Sequence, residues 1–201
     1  KIFVDQVDPK TATTLTLGTT GDTVNVPTGV SLTITDQLAI AQGGTGATTL
    51  AGAGLSNTPS FFARASTDQG ISSATITKVE FDSEVFDTDS AYDTTNDKFV
   101  VPSGKDGKYV FMYAVDCNAK AVSELEIATL YFYKNGAAVS KQLLDFTNNP
   151  SQRICVTNSI IMDVSASDYI EVYGAIQDAS STPKFTGDSP YTTYFAGYKL
   201  T

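Results

Sequence analysis

Histidine and tryptophan are absent from the 201 residues, cysteine occurs twice, and only 17% of positions are charged. Without histidine there is no Ser-His-Asp triad, no Cys-His dyad and no imidazole-bound zinc. Cys117 and Cys155 are too few for a disulfide framework or a four-thiolate metal centre. Both sit in alternating apolar segments, YVFMYAVDC and RICVTNSIIM. Two buried free thiols are expected there, with one bridge as the alternative if the strands are neighbours. Basic residues number 13 against 22 acidic ones, a formal net charge of −9. That balance excludes the clustered Lys and Arg that nucleic-acid binding needs. No apolar run approaches the roughly 18 residues of a membrane helix, so no membrane insertion is expected. The opening KIFVDQVDPK has no basic flank, apolar stretch and cleavage site in order, so no secretory leader is expected. It also lacks an initiator Met, as a piece of a longer polypeptide would.

What the chain has in plenty is Thr, Ser, Gly, Val, Tyr and Phe, which favours strands over helices. The composition shifts near residue 58. Before it stands a single aromatic, Phe3; every Tyr and both Met follow it. Two units are expected, 1–58 and 60–201. In the first, apolar pairs recur at alternate positions: Leu15/Leu17, Val24/Val26, Leu32/Ile34 and Leu38/Ile40. Turn clusters separate them, which reads as a loose repeat of short strands. Such strands bury too little alone and need copies of themselves, as in a fibrous β shaft; a disordered Thr/Gly linker is the alternative. Residues 42–55, QGGTGATTLAGAGL, allow a tight turn, and Thr48 or Thr49 is placed to cap one short helical turn. Gly43-Gly44-Thr45-Gly46 lacks the Lys-Ser/Thr of a phosphate loop and does not spell a dinucleotide fingerprint.

The second unit reads as many strands: 60–66, 74–82, 98–101, 107–117, 126–134, 138–146, 153–163, 168–177 and 191–201. Along 107–117, Tyr109, Phe111, Tyr113 and Val115 share one face, and Val110, Met112 and Ala114 the other. Along 191–201, aromatics again fall on both sides: Phe195 on one, Tyr194 and Tyr198 on the other. A strand apolar on both faces needs a core on one side and a second buried surface on the other. Lys134-Asn135-Gly136 is a hairpin signal, because Asn-Gly accepts positive φ at both turn positions. No helical period runs over a dozen residues. An all-β jelly-roll sandwich preceded by a β-rich neck follows.

At this point two resemblances enter. Tyr92-Asp93, Phe99, Pro102 and Gly107-Lys108-Tyr109-Val110-Phe111 resemble the opening of the C1q/TNF-like globular head. Lys134-Asn135-Gly136, Asp168-Tyr169-Ile170-Glu171-Val172 and the ending Phe185-Thr186-Gly187 through Tyr194-Phe195-Ala196-Gly197-Tyr198-Lys199-Leu200 follow in that family's order. The resemblance implies a ten-stranded jelly roll that assembles as a tight homotrimer. It makes Tyr109, Phe111, Tyr113, Tyr194, Phe195 and Tyr198 candidates for core or trimer interface. Residues 38–55, LAIAQGGTGATTLAGAGL, resemble a segment common in phage tail-fibre proteins. Together these imply a fibre neck bearing a trimeric tip in the virion. That tip would bind a host-surface glycan or protein, and other tail proteins would join through a part preceding Lys1. A structural trimerisation or capping module and a secreted C1q-like adhesin are the alternatives.

Binding usually resides in loops at one end of a rigid β scaffold. The candidates are Asp116, Asn118 and Lys120 after a long strand, and Asp178, Lys184 and Asp188 in DASSTPKFTGD. Plain solvated turns are the competing reading for both. The densest polar stretch, 82–97, has six acids and no Lys or Arg. Asp87, Asp89 and Asp93 are weak calcium candidates there. Asp87-Thr88-Asp89 begins like an EF-hand, but Ala91 replaces the Gly of the sharp turn and Lys98 stands where a bidentate Glu belongs. A solvated acidic loop is expected, with no cofactor. Paired carboxylates can hydrolyse glycosides, but a shaft this short lacks the groove for it, so no enzyme is expected.

Overall fold

The computed structural model describes Thr28 and residues 57–179, 182–187 and 192–200. The expected neck strands, the helical turn after Thr48 and the loop residue Asp188 lie outside the described residues. The chain divides into two units, Lys1–Ala53 and Gly54–Thr201, and the architecture below belongs to the second.

Among the described residues of this unit there are thirteen strands. The first six are β1 (Ser60–Arg64), β2 (Gln69–Gly70), β3 (Thr77–Lys78), β4 (Ser83–Asp87), β5 (Tyr92–Asp93) and β6 (Lys98–Val100). Four long ones follow: β7 (Gly107–Asn118), β8 (Leu125–Lys134), β9 (Ala137–Asp145) and β10 (Arg153–Val164). The last are β11 (Tyr169–Asp178), β12 (Lys184–Phe185) and β13 (Tyr194–Lys199). All pairings are antiparallel and form two sheets. In the first, β10 runs along the whole of β7 from Gly107 to Asn118. The other edge of β7 is shared by β13 and β12. Beyond β13 come β1 and then β4. The second sheet runs β5-β6-β11-β8-β9, with β3 also on β11. Apart from the β5–β6 and β8–β9 pairs, strands that are neighbours in space are distant in sequence, which is the connectivity of a jelly roll.

The sheets meet over an aromatic core. Phe61 stacks on Phe99 of the opposite sheet with ring centroids 4.8 Å apart. Tyr113 meets Phe132 at 4.6 Å, and Phe195 stands edge-on to Phe61 at 4.9 Å. Period-two alternation delivers these rings: Tyr109, Phe111, Tyr113, Val115 and Cys117 are all buried along β7. Gly197 is required where β13 crosses this cluster. A Cβ there would lie 2.7 Å from the Phe111 ring and 2.9 Å from Phe61. Between β8 and β9 the hairpin turn is Asn135-Gly136, with φ of 52° and 78°, as the dipeptide requires.

Three local expectations need correction. The strand expected over 74–82 is reduced to Thr77–Lys78, and a strand forms instead at Ser83–Asp87, inside the acidic stretch. There Phe62 pairs with Phe86, and a register shift follows between Phe62 and Ala63. The long strand β7 continues through Asp116 to Asn118, β11 runs to Asp178 and β12 begins at Lys184, so of the described loop candidates only Lys120 lies outside a strand. The cysteines are on paired strands but cannot bridge. Cys117 faces Ile154 and Cys155 faces Asp116, one position out of register, so the two thiols lie on opposite faces. Both are free, as expected, but only Cys117 is buried; Cys155 is exposed, which corrects the expectation of two buried thiols. Burial pushes the thiol of each upward, away from the reactive thiolate.

Candidate functional site

Two features outside the core stand out. The first is the outer face of the β10-β7-β13-β1-β4 sheet. Residues that alternate with the core rings point here: Tyr194, Ala196 and Tyr198 from β13, Val110 and Met112 from β7, Phe62 from β1. Ala196 sits between Met112 and Phe62 in register, and Phe62 pairs on its other side with Phe86. The Phe62 ring stacks on Tyr194 at 5.1 Å and on Phe86 at 6.3 Å. Phe86 is 49% exposed and Ile161, beside Val110, 64%. This is a continuous apolar surface on one face of a sheet. The six candidates for core or interface therefore separate. Tyr109, Phe111, Tyr113 and Phe195 belong to the sandwich core, whereas Tyr194 and Tyr198 belong to the outer face.

The second feature is at one end of the sandwich, where the two candidate loop segments converge. Lys184 pairs in register with Asn118 on one side and Gly70 on the other. The Asn118 carboxamide oxygen accepts the Lys120 N–H at 2.7 Å, and the Lys120 carbonyl accepts from Gln152 Nε2 at 2.9 Å. This fixes Lys120 with a positive φ of 66°. Ser73 Oγ accepts the Asp178 N–H at 3.1 Å, tying the end of β11 to the same corner. Between these segments opens a cavity of about 830 Å³, lined by Asp68, Ile71, Ser72, Lys120, Pro183 and Lys184 among others. The Lys184 ammonium pairs with Asp68, and this hydrogen bond holds the Asp68 carboxyl below the usual range against the opposing effect of burial. Lys120 adds a second cation to the wall.

Asp116 and Asp178 lie near this corner but are buried, at 3% and 8% exposure. Asp116 takes both branches of a fork from Arg153, with Nε 2.8 and 2.6 Å from its two oxygens. Its backbone is held by Thr193 and Thr186. It braces the end of β7 rather than lining the cavity. Asp68, Ile71 and Ser72 were not singled out in the sequence. STDQGISS is a short polar stretch with a single large apolar residue, Ile71, and its placement depends on β2 pairing with β12 across more than a hundred residues.

The acidic stretch is committed to its own backbone. Asp87 accepts the N–H groups of Asp89 and Tyr92. Asp93 accepts the Asn96 side-chain amide at 2.7 Å and the N–H groups of Asn96 and Thr95, and these bonds, the side-chain one foremost, hold its carboxyl low. Asp89 pairs with Lys105 at 3.2 Å. Among the described residues, no group of three His, Cys, Asp or Glu is placed to share a metal ion.

No protein-family model matches the chain, and no curated protein matches it. Solved structures do resemble it. The TNF Eiger from S. frugiperda is similar with a TM-score of 0.51 at 10% identity, over 73% of this chain and 94% of that one. Murine APRIL, solved at pH 5.0, gives 0.50 at 14% identity, over 70% and 98%. The globular domain of zebrafish complement 1qA protein gives 0.49 at 12% identity, over 71% and 98%. At such identities the likeness is one of fold, and the fold of the described sandwich is a C1q/TNF-like jelly roll.

Proposed function

We propose that the chain is the homotrimeric adhesion head at the tip of a phage tail fibre, engaging a glycan or protein on the host surface. The observation that carries the assembly is the apolar outer sheet face around Phe62, Tyr194 and Tyr198. Monomeric soluble proteins rarely leave a continuous patch of this kind uncovered. Aromatic rings and Met are the residues enriched where subunits meet. The jelly-roll fold supports the same reading, and the segment 38–55 supports the tail-fibre setting. Three copies carry three equivalent cavities at one end of the assembly, so weak contacts add by avidity. A trimer carries three times the chain's −9 charge, which opposes long-range attraction to an anionic cell. Binding then rests on short-range contacts, with Lys120 and Lys184 as the local cations. The test is cell binding by the labelled full chain across a bacterial panel. Wild type should bind a subset of strains. Lys120→Glu should lose that binding while keeping the trimer mass. Undiminished binding by Lys120→Glu would remove the cavity from the reading.

A further inference from the structure

The outer face of the second sheet carries a row of four side chains at right angles to its strands. Tyr173 of β11 pairs in register with Lys78 of β3 on one side and Tyr131 of β8 on the other. Tyr131 pairs in turn with Lys141 of β9. The row therefore reads Lys78, Tyr173, Tyr131, Lys141. Lys78, Tyr173 and Tyr131 alternate with core residues such as Val79, Val172, Leu130 and Phe132, so they project away from the core, and Lys141 shares their face through its pairing with Tyr131. Tyr133 extends the ring surface, 4.3 Å from Tyr173 and 6.0 Å from Tyr131.

The two ammonium groups differ. Lys78 is bound to the buried Glu171. Desolvation works against its charge, and the hydrogen bond and charge of Glu171 outweigh it, so Lys78 stays protonated and locally neutralised. Lys141 lies 5.9 Å from the Tyr131 ring centre and has no ion pair among the described residues. Beside the row is a depression of about 250 Å³. Ile76 and Leu143, both about half exposed, form its rim, and Thr129 and Gln177 supply polar groups. It is smaller than the roughly 300–1,000 Å³ of pockets that take drug-sized molecules, and so suits one ring-sized group.

We propose that this face is a saccharide-binding platform for an acidic glycan. One sugar ring lies on Tyr131 and Tyr173, its carboxylate meets Lys141, and the adjoining ring enters the Thr129–Gln177 depression. The apolar C–H face of a pyranose matches an aromatic ring, and Tyr131 and Tyr173 are partly exposed. Its hydroxyls need partners at the edge, which Thr129 and the Gln177 carboxamide oxygen supply, the Gln177 Nε2 being bound to Glu126. A protein partner fits less well, because the cores of protein interfaces are depleted in Lys. Lysines close this row at both ends. The chain's net charge is −9 and Lys78 is neutralised by Glu171 on this same face, so the carboxylate is met by Lys141 alone. The proposal depends neither on the cavity at the end of the sandwich nor on trimer formation.

Native electrophoresis of the full chain in gels cast with polygalacturonate, or with uncharged dextran, tests it. Polygalacturonate should retard the wild type and Tyr131→Phe, and dextran should not. Tyr131→Ala should weaken retardation at least tenfold and Lys141→Gln several-fold, with added salt acting in the same direction. Absence of retardation by polygalacturonate overturns the proposal. So does equal retardation by dextran, or wild-type behaviour of Tyr131→Ala or Lys141→Gln. If polygalacturonate has no effect but Tyr131→Ala changes the solution mass, the row is a protein interface instead.

Discussion

Tyr194 and Phe195 are consecutive residues of β13, and their rings lie on opposite sides of one sheet. Phe195 is fully buried among Phe61, Phe111 and Phe132. Tyr194 lies outside, stacked on Phe62. The same alternation separates Tyr113 from Met112 on the neighbouring strand. A single strand thus serves two surfaces. Phe195→Ala is expected to destabilise the fold by about 3–5 kcal/mol, as emptied aromatic core sites do. Tyr194→Ala should leave the separated sandwich folded and weaken association between copies, with any loss in urea unfolding confined to its concentration-dependent part. Urea titration with a mass measurement on each variant checks both.

Arg153 and Asp116 make the second expectation. The carboxylate is buried and the guanidinium is 45% exposed, so water already screens part of the pair. Arg153→Ala leaves the carboxylate buried without its fork, and a loss of about 2 kcal/mol is expected. Asp116→Ala combined with Arg153→Ala should cost less than the two single changes added together, since no orphaned charge remains. Additive costs in denaturant unfolding would show that the pair is not coupled.

Asp168 gives a pH dependence. Its carboxyl is held down to about 2, by Lys134 first, then by the Ser165 N–H and the Asn135 side chain, with slight burial opposing them. A free aspartate titrates near ~3.9. The folded state therefore favours the ionised form, and the stabilisation is complete above the unfolded value. It is lost as pH falls from about 4 toward 2. Asp168→Asn should be less stable than wild type at pH 6, and the gap should narrow as the pH approaches 2.5. A gap independent of pH in thermal melts would contradict this.

Much of the fold was legible because the long strands obey strict alternation. Along β7 and β13 the sequence pattern alone assigns every ring to one of two faces. It does not say which face is the core, because both are apolar. The pairing with β10 settles that, since Val156 and Met162 close over the same side as Val115 and Tyr109. The strand Ser83–Asp87 was hidden because Glu84 and Asp87 flank its apolar residues. Two-residue strands such as Lys184–Phe185 exist only through partners far away in the chain. The cavity was legible in half. Lys120 and Lys184 stand in conspicuous polar stretches of sequence, although Lys184 is a strand residue, whereas the 68–73 wall has no comparable signal. The tyrosine row was invisible, since register across four strands places it and no segment of sequence contains it.

In the proposed assembly the face around Phe62 and Tyr198 holds three copies together. Light scattering of the full chain against the double variant Phe62→Asp, Tyr198→Asp measures this most directly. A wild-type mass three times the 21.3 kDa of the chain is expected, with a folded variant of lower mass. A wild-type monomer, or a variant that remains trimeric, would contradict it.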